Sequence, residues 1–273
     1  MILIKKLKIK RSLLAGSLFL LLSCSSDEKQ TVITKTQLVM SDEFNVDGAP
    51  NPILWSYDIG RGPNSDGWGN RELQYYTNRP ENIKVENGFL KITARREQYM
   101  GQAFTSARIK TKGKFETKYG RLEARIKLPR GKGLWPAFWM LGSNSDTAIW
   151  PACGEIDIME YLGSSPTKIF GTVHGPGYSA GNAITKSYTL PNRRFDTDFH
   201  VFGVEWDENY INFYIDNVLY NQITPSDVTG DWVFNNPFYM ILNMAVGGNY
   251  PGAPNSETPF PQEMLVDYVR VYQ

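Results

Sequence analysis

The sequence predicts an all-β protein, a sandwich of two packed antiparallel sheets with one sheet curved around a cleft. Three observations predict the sandwich. Apolar and polar residues alternate with a period of two, most clearly where Leu122, Ala124, Ile126 and Leu128 fall on one face and Arg121, Glu123, Arg125 and Lys127 on the other. Twenty-four Gly and 16 Pro break the chain into short runs, and no long segment carries a helical stripe. About 235 residues remain once the N-terminal leader is set aside, which suits one large β domain without internal repeat.

The leader comes first in the chain. Lys5, Lys6, Lys8, Lys10 and Arg11 precede an apolar run from Leu13 to Leu22, too short to span a bilayer, which needs about 20 residues. Leu21-Leu22-Ser23-Cys24 resembles a bacterial lipoprotein box. Residues 1–24 therefore read as an export signal, with Cys24 lipidated and the mature protein held at the outer membrane through its lipid. Residues 25–37 are polar, with Asp27, Glu28 and Lys29, and read as a flexible tether. Acids just after a lipidated Cys direct some bacterial proteins to the cell surface, so surface display or a periplasmic face is expected.

The domain spans residues 38–273. Asp42-Glu43-Phe44 opens it and Asp267 lies in the last strand, and the first and last strands of a sandwich often pair. Phe89 to Arg95 and Ile211 to Ile215 alternate as strands, and Asp216-Asn217 is a two-residue hairpin signal between Tyr210–Ile215 and Val218–Ile223. Phe238 to Val246 is apolar on both faces and reads as a central strand. Trp135 and Trp139, four apart, share one strand face, with Phe138 and Met140 opposite; either pair could line the core.

Glu155-Ile156-Asp157-Ile158-Met159-Glu160 carries the chemistry. Alternation puts Glu155 and Asp157 on one face and turns Glu160 away, and a bulge around Ile158-Met159 returns it. Three crowded carboxyls repel, so their pKa values separate: a glutamate that keeps its proton acts as an acid, and a better hydrogen-bonded neighbour stays ionised as a nucleophile. Such a pair cleaves glycosidic bonds with retention.

Glu155-x-Asp157-x-x-Glu160 after Trp150-Pro-x-x-Gly154 resembles the bulged signature of glycoside hydrolase family 16, in particular its laminarinase-like endo-β-1,3-glucanases. Asn70 to Thr77, Gly133 to Leu141, Phe202 to Trp206 and Val266 to Val271 resemble that family's landmarks in the same order. The resemblance implies a jelly roll that hydrolyses β-1,3-glucan and, with it, mixed-linkage β-1,3/1,4-glucan. It implies Glu155 as nucleophile, Glu160 as acid and base, and Asp157 as their partner. It further implies sugar contacts from Asn70, Arg108, Trp135, Trp139, Trp150 and His174. No cofactor is implied for catalysis. A structural calcium is implied on the convex side, held by Glu43, the carbonyl of Gly88 and Asp267; surface acids without metal are the other reading.

Composition bounds the alternatives. A net charge of +1 gives no case for nucleic acid. Cys153 is left unpaired and reads as a small packed residue, and aromatics at 13% exceed what the core requires, which fits a carbohydrate groove. Gly177-Tyr-Ser-Ala-Gly181 matches a nucleophile elbow but lacks a following helix, and two His cannot build a zinc site. A galactan hydrolase of the same family, acting on agar or carrageenan, and a non-catalytic glycan-binding sandwich remain as alternatives. The expected partner is a polysaccharide, and a monomer is expected.

Overall fold

The computed structural model describes residues 33–273. The export signal, Cys24 and most of the tether lie outside the described residues. In chain order the strands are β1 (Leu38–Asp42), β2 (Ser56–Tyr57), β3 (Gln74–Tyr76), β4 (Ile83–Glu86), β5 (Phe89–Tyr99), β6 (Gln102–Ser106), β7 (Arg108–Lys110), β8 (Gly120–Lys127) and β9 (Leu134–Gly142). They continue as β10 (Glu155–Tyr161), β11 (Lys168–His174), β12 (Ile184–Thr189), β13 (Phe199–Trp206), β14 (Ile211–Ile215), β15 (Val218–Ile223), β16 (Phe238–Val246) and β17 (Gln262–Tyr272).

Two sheets pack face to face. One runs β15-β14-β13-β8-β17-β5-β6-β3, with β1 added to β17 and β4 to β5, and the other runs β12-β11-β10-β9-β16-β7-β2. Every ladder is antiparallel except β3 with β6. The alternation that predicts a half-buried β8 holds: Leu122, Ala124 and Ile126 are wholly buried. β16 lies between β9 and β7 and is buried along all nine residues, as its unbroken apolar run requires. Asp216 and Asn217 both take positive φ, 48° and 66°, which a two-residue hairpin turn needs to match the strand twist. Phe138 and Met140 are the core pair of β9, which leaves Trp135 and Trp139 on the open face.

Thr34 to Gln37, assigned by composition to the tether, are held by the domain. Thr34 gives its backbone N–H and its hydroxyl to the wholly buried carboxylate of Glu205, and Gln37 pairs with Gln273. Polarity alone does not reveal such docking, because it depends on an acceptor 171 residues away.

β1 does pair with β17, as expected for first and last strands. Two of the three implied calcium ligands are nevertheless matched by arginines. Both oxygens of Glu43 accept from Arg270 at 2.9 and 2.8 Å, and Asp267 accepts from Arg125 at 2.6 Å. Asp267 sits where the β17–β8 register slips between Val266 and Tyr268, which turns it to Arg125. Gly88 occupies the β4–β5 hairpin turn with φ of 78°. Calcium wants six to eight oxygens carrying unspent negative charge. Glu43, Gly88 and Asp267, as arranged, do not fit it.

Candidate active site

β10 is edged by β9 and β11, and both registers slip within it. Against β9, Asp157 pairs with Trp139 and Met159 with Phe138, so Ile158 is the extra residue. Against β11, Asp157 pairs with Thr172 and Glu160 with Phe170, leaving only Gly171 opposite Ile158 and Met159. The predicted bulge is therefore present, and Ile158 and Met159 sink into the core while Glu155 and Glu160 stay partly open. Gly171 is required here: a Cβ on it would lie 2.4 Å from the hydroxyl of Tyr220 on the opposing sheet.

Each carboxyl has its own set of donors. Glu155 accepts from the indole N–H of Trp150 at 2.9 Å. Glu160 accepts from the indole N–H of Trp135 at 3.1 Å and from the Thr172 hydroxyl at 3.2 Å. Thr172 in turn accepts from Thr185 at 3.1 Å, so a line of hydroxyls runs from the acid to the edge strand β12. His174 Nε2 stands 3.1 Å from Asp157 and 3.6 Å from Glu155. The side chain of Glu155 is 17% exposed and that of Asp157 only 7%, so Glu155 can reach a ligand and Asp157 acts from beneath.

Glu155, Asp157 and His174 also bring ligand atoms within 4.8 Å of one another, the reach of a metal site. The Ala180 N–H, however, donates to Nδ1 of His174, which leaves the proton on Nε2, the atom that faces the acids. A nitrogen that carries a proton cannot also coordinate, so His174 faces the acids as a donor and not as a metal ligand.

Burial pushes the pKa values of Glu155, Asp157 and Glu160 all up to about 8, so the separation expected from the sequence is not seen in the structure. The charge of Asp157 is the second cause at both glutamates, and His174 opposes it. A raised carboxyl pKa means the folded state holds protons that the unfolded chain has released. Stability from these groups is thus complete below the unfolded value near 4 and is lost as pH rises through the raised values. Glu155→Gln is expected to raise the melting temperature at pH 8 by roughly 3 °C, the shift about 1 kcal/mol gives in a domain of this size. Calorimetry at pH 5 and pH 8 checks it: the gain should shrink at pH 5, and an equal gain at both would show that charge is not its cause.

Of the other predicted sugar contacts, Trp139 lies in the cleft beside Asp157, with its N–H on Asn243 at 2.7 Å. The Arg108 guanidinium stacks between the rings of Trp68 and Trp139 and pairs with Asp58. Trp150 is 43% exposed, and its ring tilts over His174 at 5.7 Å. Asn70 lies on the rim loop Gly67–Arg71, its amide on Glu72. Tyr250, Thr172, Asn243 and Trp68 contact the predicted site residues and are not reached by the sequence reading. Alternation from His174 reaches Thr172, whereas Tyr250, packed against Trp135 and Phe170, comes from a loop without pattern. Cys153 is wholly buried, its thiol pushed up to about 11 by burial, as a packed residue should be. Ser179 of the elbow-like motif precedes only the single turn Ala180–Asn182.

Displacement at a sugar's anomeric carbon needs two carboxyls side by side in an open groove, one to attack and one to give a proton, and the bulge of β10 sets Glu155 and Glu160 there. The sandwich and this groove define a glycoside hydrolase. The sequence pattern of the glycosyl hydrolases family 16 matches residues 70–270, and the chain belongs to that family. It is 42% identical over 98% of its length to a β-glucanase of Rhodothermus marinus, of which it covers 96%. It is also 38% identical, over 88% of its length, to the glucan endo-1,3-β-glucosidase A1 of Niallia circulans, spanning 38% of that longer protein. The catalytic domain of an endo-1,3-β-glucanase (laminarinase) from Thermotoga petrophila matches with a TM-score of 0.84 at 50% identity, over 88% of this chain and 99% of that one.

Proposed function

We propose that the protein is an endo-acting hydrolase of β-1,3-glucan, with mixed β-1,3/1,4-glucan as a second substrate, and that it works by double displacement with retention. The observation that carries the mechanism is the bulge, which sets Glu155 and Glu160 on one face with separate donor sets. The laminarinase and β-glucanase relatives support the substrate class.

Glu155 attacks the anomeric carbon on the glycone side of the cut while Glu160 gives its proton to the departing glycosidic oxygen. The C–O bond breaks as the ester to Glu155 forms. Glu160, now ionised, takes a proton from water as that water attacks the same carbon, which releases Glu155 and restores the proton. The Trp135 and Thr172 donors hold the charge on Glu160 between the two steps. Asp157, set between Glu155 and His174, tunes the charge of the row. Trp150, Trp139 and Trp135 offer ring faces to the sugars.

The basic start, the apolar run and Cys24 support an exported lipoprotein anchored at the outer membrane. Neutralised by arginines, Glu43 and Asp267 give calcium no part in this reading. The experiment is hydrolysis of laminarin, barley mixed-linkage glucan, agarose and carrageenan, followed by reducing ends and product sizes. Laminarin cut into oligosaccharides is expected. Cleavage of only the algal galactans would move the substrate class, and no cleavage of any polymer would leave a binding sandwich.

A further inference from the structure

Glu72 takes no part in the chemistry above, yet it is 4% exposed and sits at the end of a side-chain network that reaches the cleft. One of its oxygens accepts from Asn70 at 3.2 Å. The other accepts from Gln74 at 2.6 Å and from the Tyr76 hydroxyl at 3.3 Å. Tyr76 accepts from the Asn243 amide at 3.1 Å, and Asn243 accepts from the Trp139 indole at 2.7 Å. Trp139 then stands beside Asp157 across the β9–β10 ladder.

All these bonds run one way. An indole N–H only donates, so Asn243 must turn its oxygen to Trp139 and its NH2 to Tyr76. Tyr76, having accepted, passes its own proton on. Three donors end on the two oxygens of Glu72, which a carboxylate can accept on both sides and an amide, with one oxygen and one NH2, cannot. Enclosing a carboxylate is costly, and a neutral side chain of the same size would be cheaper unless the charge had a task.

The backbone holds this acceptor in place. Leu73 N–H bonds Val246 at 2.8 Å, Val246 N–H bonds the Gln74 side chain at 2.7 Å, and Asn249 N–H bonds Asn70 at 2.8 Å. A Cβ on Gly67 would lie 2.4 Å from the Glu72 nitrogen, so the rim loop closes tightly around it. The loop and the end of β16 thus form one rigid wall.

We propose that Glu72 is the positioning residue of the cleft wall that carries Asn70 and Trp139, orienting Asn70 directly and Trp139 through Tyr76 and Asn243, and so setting affinity for the sugars beyond the one being cut. This rests on the glucanase reading. Glu72 touches neither the reacting atoms nor the acids of β10. Its influence should therefore fall on substrate binding and should grow with the length of the oligosaccharide.

The test is steady-state kinetics of the full chain on laminaritriose to laminarihexaose for wild type, Glu72→Gln, Tyr76→Phe and the double variant. Glu72→Gln sets an NH2 against donors, and KM for the hexaose is expected to rise about tenfold with kcat changed less than threefold, the KM effect shrinking for the triose. Tyr76→Phe breaks the same chain one link on. It should raise KM in the same direction, and the double variant should be no worse than Glu72→Gln alone, since residues in one network are not additive. Wild-type KM in either single variant, or a loss shared equally by kcat and KM at every substrate length, overturns the proposal. If Glu72→Gln does not fold, Tyr76→Phe decides alone, a raised KM supporting the proposal and a wild-type KM overturning it. Wild-type protein that leaves every laminari-oligosaccharide uncut would instead overturn the glucanase reading. The same comparison then runs on whichever agarose or carrageenan oligosaccharides are cut.

Discussion

Glu155→Gln is expected to lower kcat on laminarin by about 10⁴-fold or more, since the amide cannot form the glycosyl ester on which both half-reactions depend. The fold should survive, because the amide oxygen can still accept from Trp150 and a buried charge has been removed. Glu155→Ala adds a sharper version. The space it opens faces the anomeric carbon, so azide at molar concentration should restore part of the turnover and leave a glycosyl azide of inverted configuration. A Glu155→Gln protein that keeps a tenth of wild-type kcat would remove Glu155 as the nucleophile. Asp157→Asn, by contrast, should give a partial loss, because Asp157 acts through its neighbours; an unchanged rate would take it out of the reaction.

Glu160→Gln is the second large effect. On glucan the loss should be about 10² to 10⁴-fold, the range for a positioned general acid. The size should depend on the leaving group. An aryl glycoside with an acidic phenol leaves without a proton, so its first step should be nearly unaffected and glycosyl-enzyme should accumulate as a burst. The pH profile gives an independent reading. Glu160 must be protonated to act, and burial followed by the charge of Asp157 raises its pKa. Activity on glucan should therefore have an alkaline limb where Glu160 loses its proton, a limb absent from the aryl-glycoside reaction of the variant, while the acid limb reports ionisation of Glu155, whose pKa burial also raises. Equal losses on glucan and on the activated aryl glycoside would contradict the acid role.

Much of this site is legible in the sequence because strand geometry is a short-range rule. The odd spacing from Glu155 to Glu160 demands one extra residue if both are to face the cleft, and the structure inserts it at Ile158. The four-residue spacing of Trp135 and Trp139 likewise shares one face, although the sequence left open which face is buried. What alternation cannot reach is partnership between distant strands. The Thr185-Thr172-Glu160 line needs the β10, β11 and β12 registers, and Tyr250 reaches Trp135 from a loop. Glu72 lies within the Asn70 to Thr77 motif, yet only the docking of that loop against Val246 and Asn249 buries it. The calcium expectation fails for the same reason: Arg270 and Arg125 meet Glu43 and Asp267 through strand pairing and a register slip.

The most direct test of the two-carboxylate mechanism is the anomeric configuration of the first product, followed by proton NMR during laminarin hydrolysis before mutarotation intervenes. Double displacement through Glu155 inverts twice, so the new reducing end should appear first as the β-anomer, with the α-anomer growing in later. An α-anomer at the earliest times would mean a single displacement by water, and Glu155 would then be a base and not a nucleophile.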